Sequence, residues 1–289
     1  MRISSKCWVW LKRFLILLAL LFSQGPAQAV RPEREYADTP EKHGLTFETV
    51  TFRTSDGVSL SGWFFSVGGD SARATVVISE TDAGNMSYLI SYAAFFLESS
   101  LNVLLYDYRV FGASQEFASI PEALIYPEYL TDLNAAIDFV KSRSETPVVL
   151  FGLSMGSAVS VGVAAQRKDV AAVLVDGIYS TSEDVRATIR SQLGEEVSLP
   201  VAYPPSAEPV RAVASFNDTA LLILAGEDDR ITTPAMAFEV FSRCSSRTKS
   251  LWIAPDSVHL RIHEVVGDLY ADHIRSFLDV LFGQQGAKE

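Results

Sequence analysis

Six short apolar runs, at 75–78, 102–106, 147–151, 171–175, 220–225 and 251–254, punctuate this chain, and none alternates regularly between polar and apolar residues. A strand that is apolar on both faces must be covered on both sides, the condition of a parallel strand held between two helix layers. Helical patterns at 88–99, 127–141, 154–168, 233–244 and 260–282 separate most of these runs. Upstream, 46–53 and 58–66 do alternate, on either side of the turn Ser55-Asp56-Gly57, which predicts a hairpin. Eight strands, the first two paired as a hairpin and the rest interleaved with helices, predict an α/β fold with a doubly wound, mostly parallel eight-stranded sheet. The chain has 289 residues, 48% of them hydrophobic, enough to bury one large core. The predicted domain spans 45–283. Within it 177–215 is weakly periodic, contains Leu199-Pro200 and Tyr203-Pro204-Pro205, and reads as a small cap insertion between the sixth and seventh strands. Residues 284–289 form a tail.

The first 29 residues differ from the rest. Arg2, Lys6, Lys12 and Arg13 make a basic start, 14–22 is an unbroken apolar run, and Ala27-Gln28-Ala29 supplies a small-residue cleavage pattern. Together they predict a secretory signal peptide over 1–29 and an exported protein, periplasmic or secreted. The apolar run is short for a bilayer span, so membrane anchoring is expected only if the segment stays uncleaved. Residues 30–44, rich in charge and proline, read as a solvated lead-in.

Lys and Arg total 24 against 35 Asp and Glu, and loss of the leader would remove four bases and no acids, leaving 15 net negative charges. That balance argues against nucleic acid and anionic surfaces as partners. Of two cysteines, Cys7 lies in the leader, so Cys244 is expected to be structural and unpaired.

A strand-like stretch, 146–151, runs into Gly152-Leu153-Ser154-Met155-Gly156, and a small-residue helical stretch leaves it. G-x-S-x-G in that context predicts a nucleophile elbow, with Ser154 exposed at a helix start where backbone N–H groups favour developing negative charge. A serine nucleophile needs a base, and the base an orienting carboxylate. Of the four histidines, His43 precedes the fold and His273 lies inside the last helix. His259 follows the last strand, on the sheet edge that carries Ser154, and is the expected base; His263, one helical turn on, is the reserve. The acid is expected past the strand 220–225, at Asp229, with Asp228 and Asp176 as alternatives. The order Ser154, Asp229, His259 is the one this scaffold uses.

The chain resembles the α/β-hydrolases, in the branch of prolyl-oligopeptidase-like and membrane-associated esterases and thioesterases, from about residue 47 to 282. The resemblance rests on Tyr106-Asp107-Tyr108-Arg109-Val110-Phe111-Gly112-Ala113-Ser114, similar to Y-D-Y-R-G-x-G-x-S, and on Asp132 with Ala135-Ala136 in the helix that follows. It also rests on the elbow and on Gly226-Glu227-Asp228-Asp229 with Pro234. It implies the α/β-hydrolase fold, with Asp229 as triad acid, His259 as base, and the N–H groups of Met155 and Asp82 as oxyanion donors. Two positions depart from the pattern: Glu80-Thr81 stands where relatives carry His-Gly, and Val110 where they carry glycine. Carboxylates near a forming oxyanion would oppose it unless they point away.

The expectation is an exported serine hydrolase of esters or thioesters, esters first, acting through an acyl-serine without a cofactor on a small-molecule or lipid-like acyl substrate, with no partner protein evident. The alternatives are an aminopeptidase-like serine peptidase, whose substrate amine Glu80 or Asp82 would hold, and a degenerate hydrolase fold used for binding.

Overall fold

A computed structural model describes residues 30–68, 71–116, 123–200 and 202–283. The expected signal peptide and the 284–289 tail lie outside the described residues. The strands are β1 (Arg31–Pro32), β2 (Glu48–Arg53), β3 (Ser59–Phe65), β4 (Thr75–Ser79), β5 (Ala83–Gly84), β6 (Asn102–Tyr106), β7 (Val148–Leu153), β8 (Val170–Asp176), β9 (Ala220–Gly226) and β10 (Lys249–Ala254). The helices are α1 (Ile90–Glu98), α2 (Glu128–Arg143), α3 (Met155–Ala164), α4 (Ser182–Leu193), α5 (Pro209–Ala212), α6 (Pro234–Arg243), α7 (Ile262–Val266) and α8 (Asp268–Phe282).

Eight strands form one sheet in the order β10-β9-β8-β7-β4-β6-β3-β2. β2 pairs antiparallel with β3, and β3 with β6, whereas every pair from β6 to β10 is parallel. The doubly wound, mostly parallel sheet expected from the sequence is therefore present. Its physical cause is legible in β7. Val148 and Leu150 face one core, with α2, α3 and α6, while Val149 and Phe151 face the other, with α1 and α8. Every residue of β4, β6, β7 and β9 is buried, so neither face tolerates a polar stripe. β10 lies at the edge and is only partly covered.

Three local features differ from the sequence reading. The lead-in is not simply solvated: Val30, Asp38 and Pro40 are buried, and Arg31–Pro32 pairs with Ala83–Gly84 just past β4. The long C-terminal helical pattern breaks at Gly267 (φ +57°) into α7 and α8. The weakly periodic 177–215 segment carries α4, whose start is set by Thr181: its hydroxyl accepts the N–H of Asp184 at 3.1 Å. A Thr-x-x-Asp start was readable in the sequence; the polar face of the helix hid its apolar stripe of Val185 and Ile189.

Candidate active site

Ser154 is the last residue before α3 and sits directly after β7. Its backbone takes φ +52° and ψ −113°, a conformation that costs an L-residue on the order of 1–3 kcal/mol. The surroundings impose it. The Ser154 N–H donates to the carbonyl of Asp176 at 2.9 Å, and Ser157 Oγ donates to the carbonyls of Gly152 (2.8 Å) and Asp176 (3.1 Å). A Cβ on Gly152 would lie 2.4 Å from the Gly156 carbonyl oxygen, and one on Gly156 would lie 2.2 Å from that of Ser79. Both glycines are therefore steric requirements of the turn, and α3 starts pressed against the end of β4.

The turn lifts the serine hydroxyl to a histidine carried by another strand end. Ser154 Oγ lies 3.0 Å from His259 Nε2, and His259 Nδ1 lies 2.7 Å from Asp229 Oδ2. His259 follows β10, and Asp229 follows β9, so the parallel register of those two strands places the pair. An ionised carboxylate only accepts, so Nδ1 carries the proton and Nε2 is left to accept from the serine. Asp229 is anchored on its other side: Oδ1 accepts the N–H groups of Ile231 (2.8 Å) and Thr232 (2.9 Å), and Oδ2 also accepts Thr232 Oγ1 at 2.7 Å. The Asp229 side chain is 1% exposed and that of His259 24%, so the carboxylate is sealed off while the imidazole keeps part of its surface open. Burial by itself would raise the Asp229 pKa, but the hydrogen bond and charge of His259 outweigh it and hold the carboxyl below its ordinary range. Conversely, burial disfavours the imidazolium, yet Asp229 outweighs it and lifts His259 above its ordinary value of 6.5.

The loop after β4 faces this group. The N–H of Met155 opens α3, where no helical acceptor precedes it. The contact of Gly156 with Ser79 and Glu80 keeps the Asp82 loop close to that helix start. Glu80 points inward. It is buried, its Oε1 takes the Tyr108 N–H at 3.4 Å, and Oε2 has no partner among the described residues. Burial, reinforced by the nearby Asp107, pushes its pKa well above the ordinary carboxyl value. Burial thus disfavours a negative charge on Glu80 beside a forming oxyanion. Asp82 remains half-buried, 3.7 Å from Arg31. Val110 takes φ +71°, the backbone that a glycine adopts without strain, and its side chain is buried. Below it Arg109, 2% exposed, grips the buried Asp132 through Nε (2.9 Å) and Nη2 (2.6 Å).

The other sequence candidates lie apart. Asp228 is exposed, and its N–H bonds the Ser257 carbonyl. Asp176 ends β8 with its carboxyl turned to Tyr270, whose hydroxyl donates to it at 2.8 Å, and burial raises its pKa to about 7. His263 is buried against Tyr92 and Tyr270, and burial lowers it to about 4. His43 pairs with Asp38, His273 stacks on Trp252, and Cys244 is a buried free thiol. Sequence reasoning missed Thr232, whose hydroxyl bonds Asp229 and lies 3.0 Å from His259 Nδ1. Nothing in a lone threonine three residues past an acid marks that role. Among the described residues no group of three or more His, Cys, Asp or Glu stands close enough to hold a metal ion.

Known proteins agree with this architecture. The family described as serine aminopeptidase, S33, matches residues 70–198. The Escherichia coli protein YfhR is 31% identical over 242 residues, 80% of each chain. The Schizosaccharomyces pombe protein bem46 is 25% identical over 88% of this chain and 83% of its own. A Saccharomyces cerevisiae membrane protein, YNL320W, is 26% identical over 85% of this chain and 84% of its own. No helix among the described residues of the present chain is long and apolar enough to cross a membrane. In structure, the Pyrococcus furiosus esterase Pf2001 superposes with a TM-score of 0.72 at 20% identity, covering 88% of this chain and all of that one. The sheet, the elbow and the YfhR relationship together make the chain a member of the α/β-hydrolase superfamily.

Proposed function

We propose that the protein is an exported serine hydrolase of carboxylic esters, with Ser154, His259 and Asp229 as its catalytic triad. The reading is carried by the unbroken series of hydrogen bonds from Ser154 Oγ to His259 Nε2 (3.0 Å) and from Nδ1 to Asp229 Oδ2 (2.7 Å). Ser154 Oγ attacks the carbonyl carbon as His259 Nε2 takes its proton. The resulting oxyanion accepts from the Met155 and Asp82 N–H groups. The C–O bond then breaks, and the alcohol leaves with the proton returned by His259. Water, deprotonated by the same nitrogen, attacks the acyl-serine and releases the acid. Asp229 stays ionised throughout and holds the imidazole in the required tautomer.

Esters are preferred to peptides because 177–215 reads as only a small cap, with no large sieving domain over the serine among the described residues. The inward, buried Glu80 supports an active oxyanion site over a degenerate binding fold, since burial raises its pKa and disfavours the charge that would oppose the oxyanion. Thioester cleavage uses the same atoms and ranks second. Export rests on the 1–29 leader. Treating the folded protein with a fluorophosphonate probe is expected to modify Ser154 and to leave Ser154→Ala unlabelled. An unlabelled wild type would overturn the proposal.

A further inference from the structure

A backbone oxyanion donor works only if its peptide is held still before the charge arrives. The Met155 N–H has a helix to hold it. The Asp82 N–H lies instead in the short loop between β4 and β5, and it donates no hydrogen bond among the described residues. Thr81 ties that loop only to itself, its hydroxyl bonding the Ala83 carbonyl (3.0 Å) and the Ala83 N–H (3.2 Å). The outside support comes from the lead-in, far upstream in the chain. The Arg31 N–H donates to the Asp82 carbonyl at 2.7 Å. From there β1 runs parallel to β5, with Arg31 opposite Ala83 and Pro32 opposite Gly84. The Arg31 guanidinium lies 3.7 Å from the Asp82 carboxylate.

The lead-in can give this support because it is itself fastened on both sides. Towards the β4 loop, the Glu33 N–H donates to the Gly84 carbonyl at 2.8 Å, and the Asn85 amide donates to the carbonyls of Glu33 (3.1 Å) and Glu35 (2.8 Å). Towards the loop after β6, the Glu33 carbonyl accepts the Gly112 N–H at 2.9 Å, and Arg34 Nη1 donates to the Ser114 carbonyl at 2.8 Å. The Tyr36 hydroxyl donates to the buried Asp107 carboxylate at 2.6 Å, and the same carboxylate accepts the Met86 N–H at 2.8 Å. Residues 31–36 are thus laced between the two loops. Charge adds a second effect. A carboxylate on the donor residue opposes the negative charge that its own N–H must stabilise, and the Arg31 cation stands against it.

We propose that Arg31 is a positioning residue for the hydrolysis: its N–H holds the Asp82 peptide in place for the oxyanion, and its guanidinium offsets the Asp82 carboxylate beside it. The inference rests on the esterase reading above and gives the lead-in a part in the reaction without contact to the substrate. The triad does not depend on this support. Ser154 is held through the Asp176 carbonyl and Asp229 through the N–H groups of Ile231 and Thr232. Loss of the Arg31 contacts therefore falls on the charge that develops in the transition state and spares ground-state binding, so kcat drops while KM stays.

The test uses the full-length protein, with fluorophosphonate labelling of the wild type as gate, and follows p-nitrophenyl butyrate turnover together with thermal melting. Arg31→Pro removes the N–H that holds Asp82. It is expected to lower kcat roughly tenfold to a hundredfold with KM nearly unchanged, since outright loss of an oxyanion donor costs about 10^2 to 10^3. A folded Arg31→Pro protein with kcat within about threefold of wild type, or with its loss in KM alone, overturns the proposal. Arg31→Glu keeps the N–H and reverses a half-exposed charge, so the fold is not at stake. Its kcat is expected to fall roughly threefold to tenfold at low salt. That loss should shrink in about 1 M NaCl, and again when Asp82→Asn removes the facing charge. An unchanged kcat, or a loss indifferent to both, overturns the proposal even if Arg31→Pro fails to fold. A wild type that labels and turns over beside unaffected variants sinks this inference alone. No labelling sinks the esterase reading with it.

Discussion

Replacing Asp229 by Asn changes one atom group and tests the whole proton path. In the wild type Oδ1 is held by two backbone N–H groups, so the Asn side chain is expected to keep its oxygen there and turn its NH2 towards His259 and Thr232. A donor now faces Nδ1, which must become the acceptor, and the ring proton moves to Nε2. Nε2 then points a hydrogen at Ser154 Oγ, 3.0 Å away, and can no longer take the serine proton. Mis-set tautomers of this kind lower kcat by about 10^4, or roughly 5.5 kcal/mol of barrier. The fold should survive. One charge-assisted hydrogen bond between Asp229 and His259 is lost, worth about 1–3 kcal/mol, while the turn at 229–232 keeps its backbone anchors. A second readout follows from charge. His259 must be neutral to act, so kcat/KM rises with pH through its pKa, which Asp229 now holds above 6.5. Removing that charge leaves burial unopposed by it, and the rising limb moves to lower pH. The assay is p-nitrophenyl butyrate hydrolysis over roughly pH 5 to 9, with calorimetric melting as the control for folding. A folded Asp229→Asn protein with kcat within tenfold of wild type would refute the assignment of Asp229, as would an unmoved limb.

Three further outcomes are expected. The fold raises the pKa of Glu80, so the native state holds its proton more tightly than the unfolded chain and stability falls as pH rises above the unfolded carboxyl value. Glu80→Gln should therefore gain on wild type in urea midpoint between acid and mildly alkaline pH; a constant difference would mean that Glu80 is ionised in place. Asp132→Ala leaves the Arg109 guanidinium buried without its main partner and should cost about 3–5 kcal/mol in urea unfolding, and a cost under about 1 kcal/mol would contradict the buried pair. Ser154→Gly relieves the strain at φ +52° that Ser154→Ala retains, so the glycine variant should be the more stable of the two by about 1 kcal/mol in the same measurement.

Much of this molecule is written along the chain. The sheet could be read because parallel strands are apolar on both faces, and composition alone reports that. The elbow could be read because two glycines must flank a serine at so tight a turn. The order Ser154, Asp229, His259 could be read because each residue follows a strand, and strands in a parallel sheet end on one edge. Local pattern was weaker where helices are short or mostly polar. α4 lies in a stretch whose periodicity was faint, and the lead-in looked solvated because its charges conceal the pairing of Arg31–Pro32 with Ala83–Gly84.

Tertiary structure decided what depends on distance and on water. It brings Asp229, rather than Asp228 or Asp176, against the imidazole of His259, while the other two face solvent or Tyr270. It placed Thr232 beside that pair. It also bears on the charge of Glu80: in sequence an acid beside an oxyanion loop reads as a fixed negative charge, but burial next to Asp107 raises its pKa and disfavours ionisation. Residue identity follows from the sequence, but protonation follows from the surroundings, and those are assembled only when distant strand ends and helices come together.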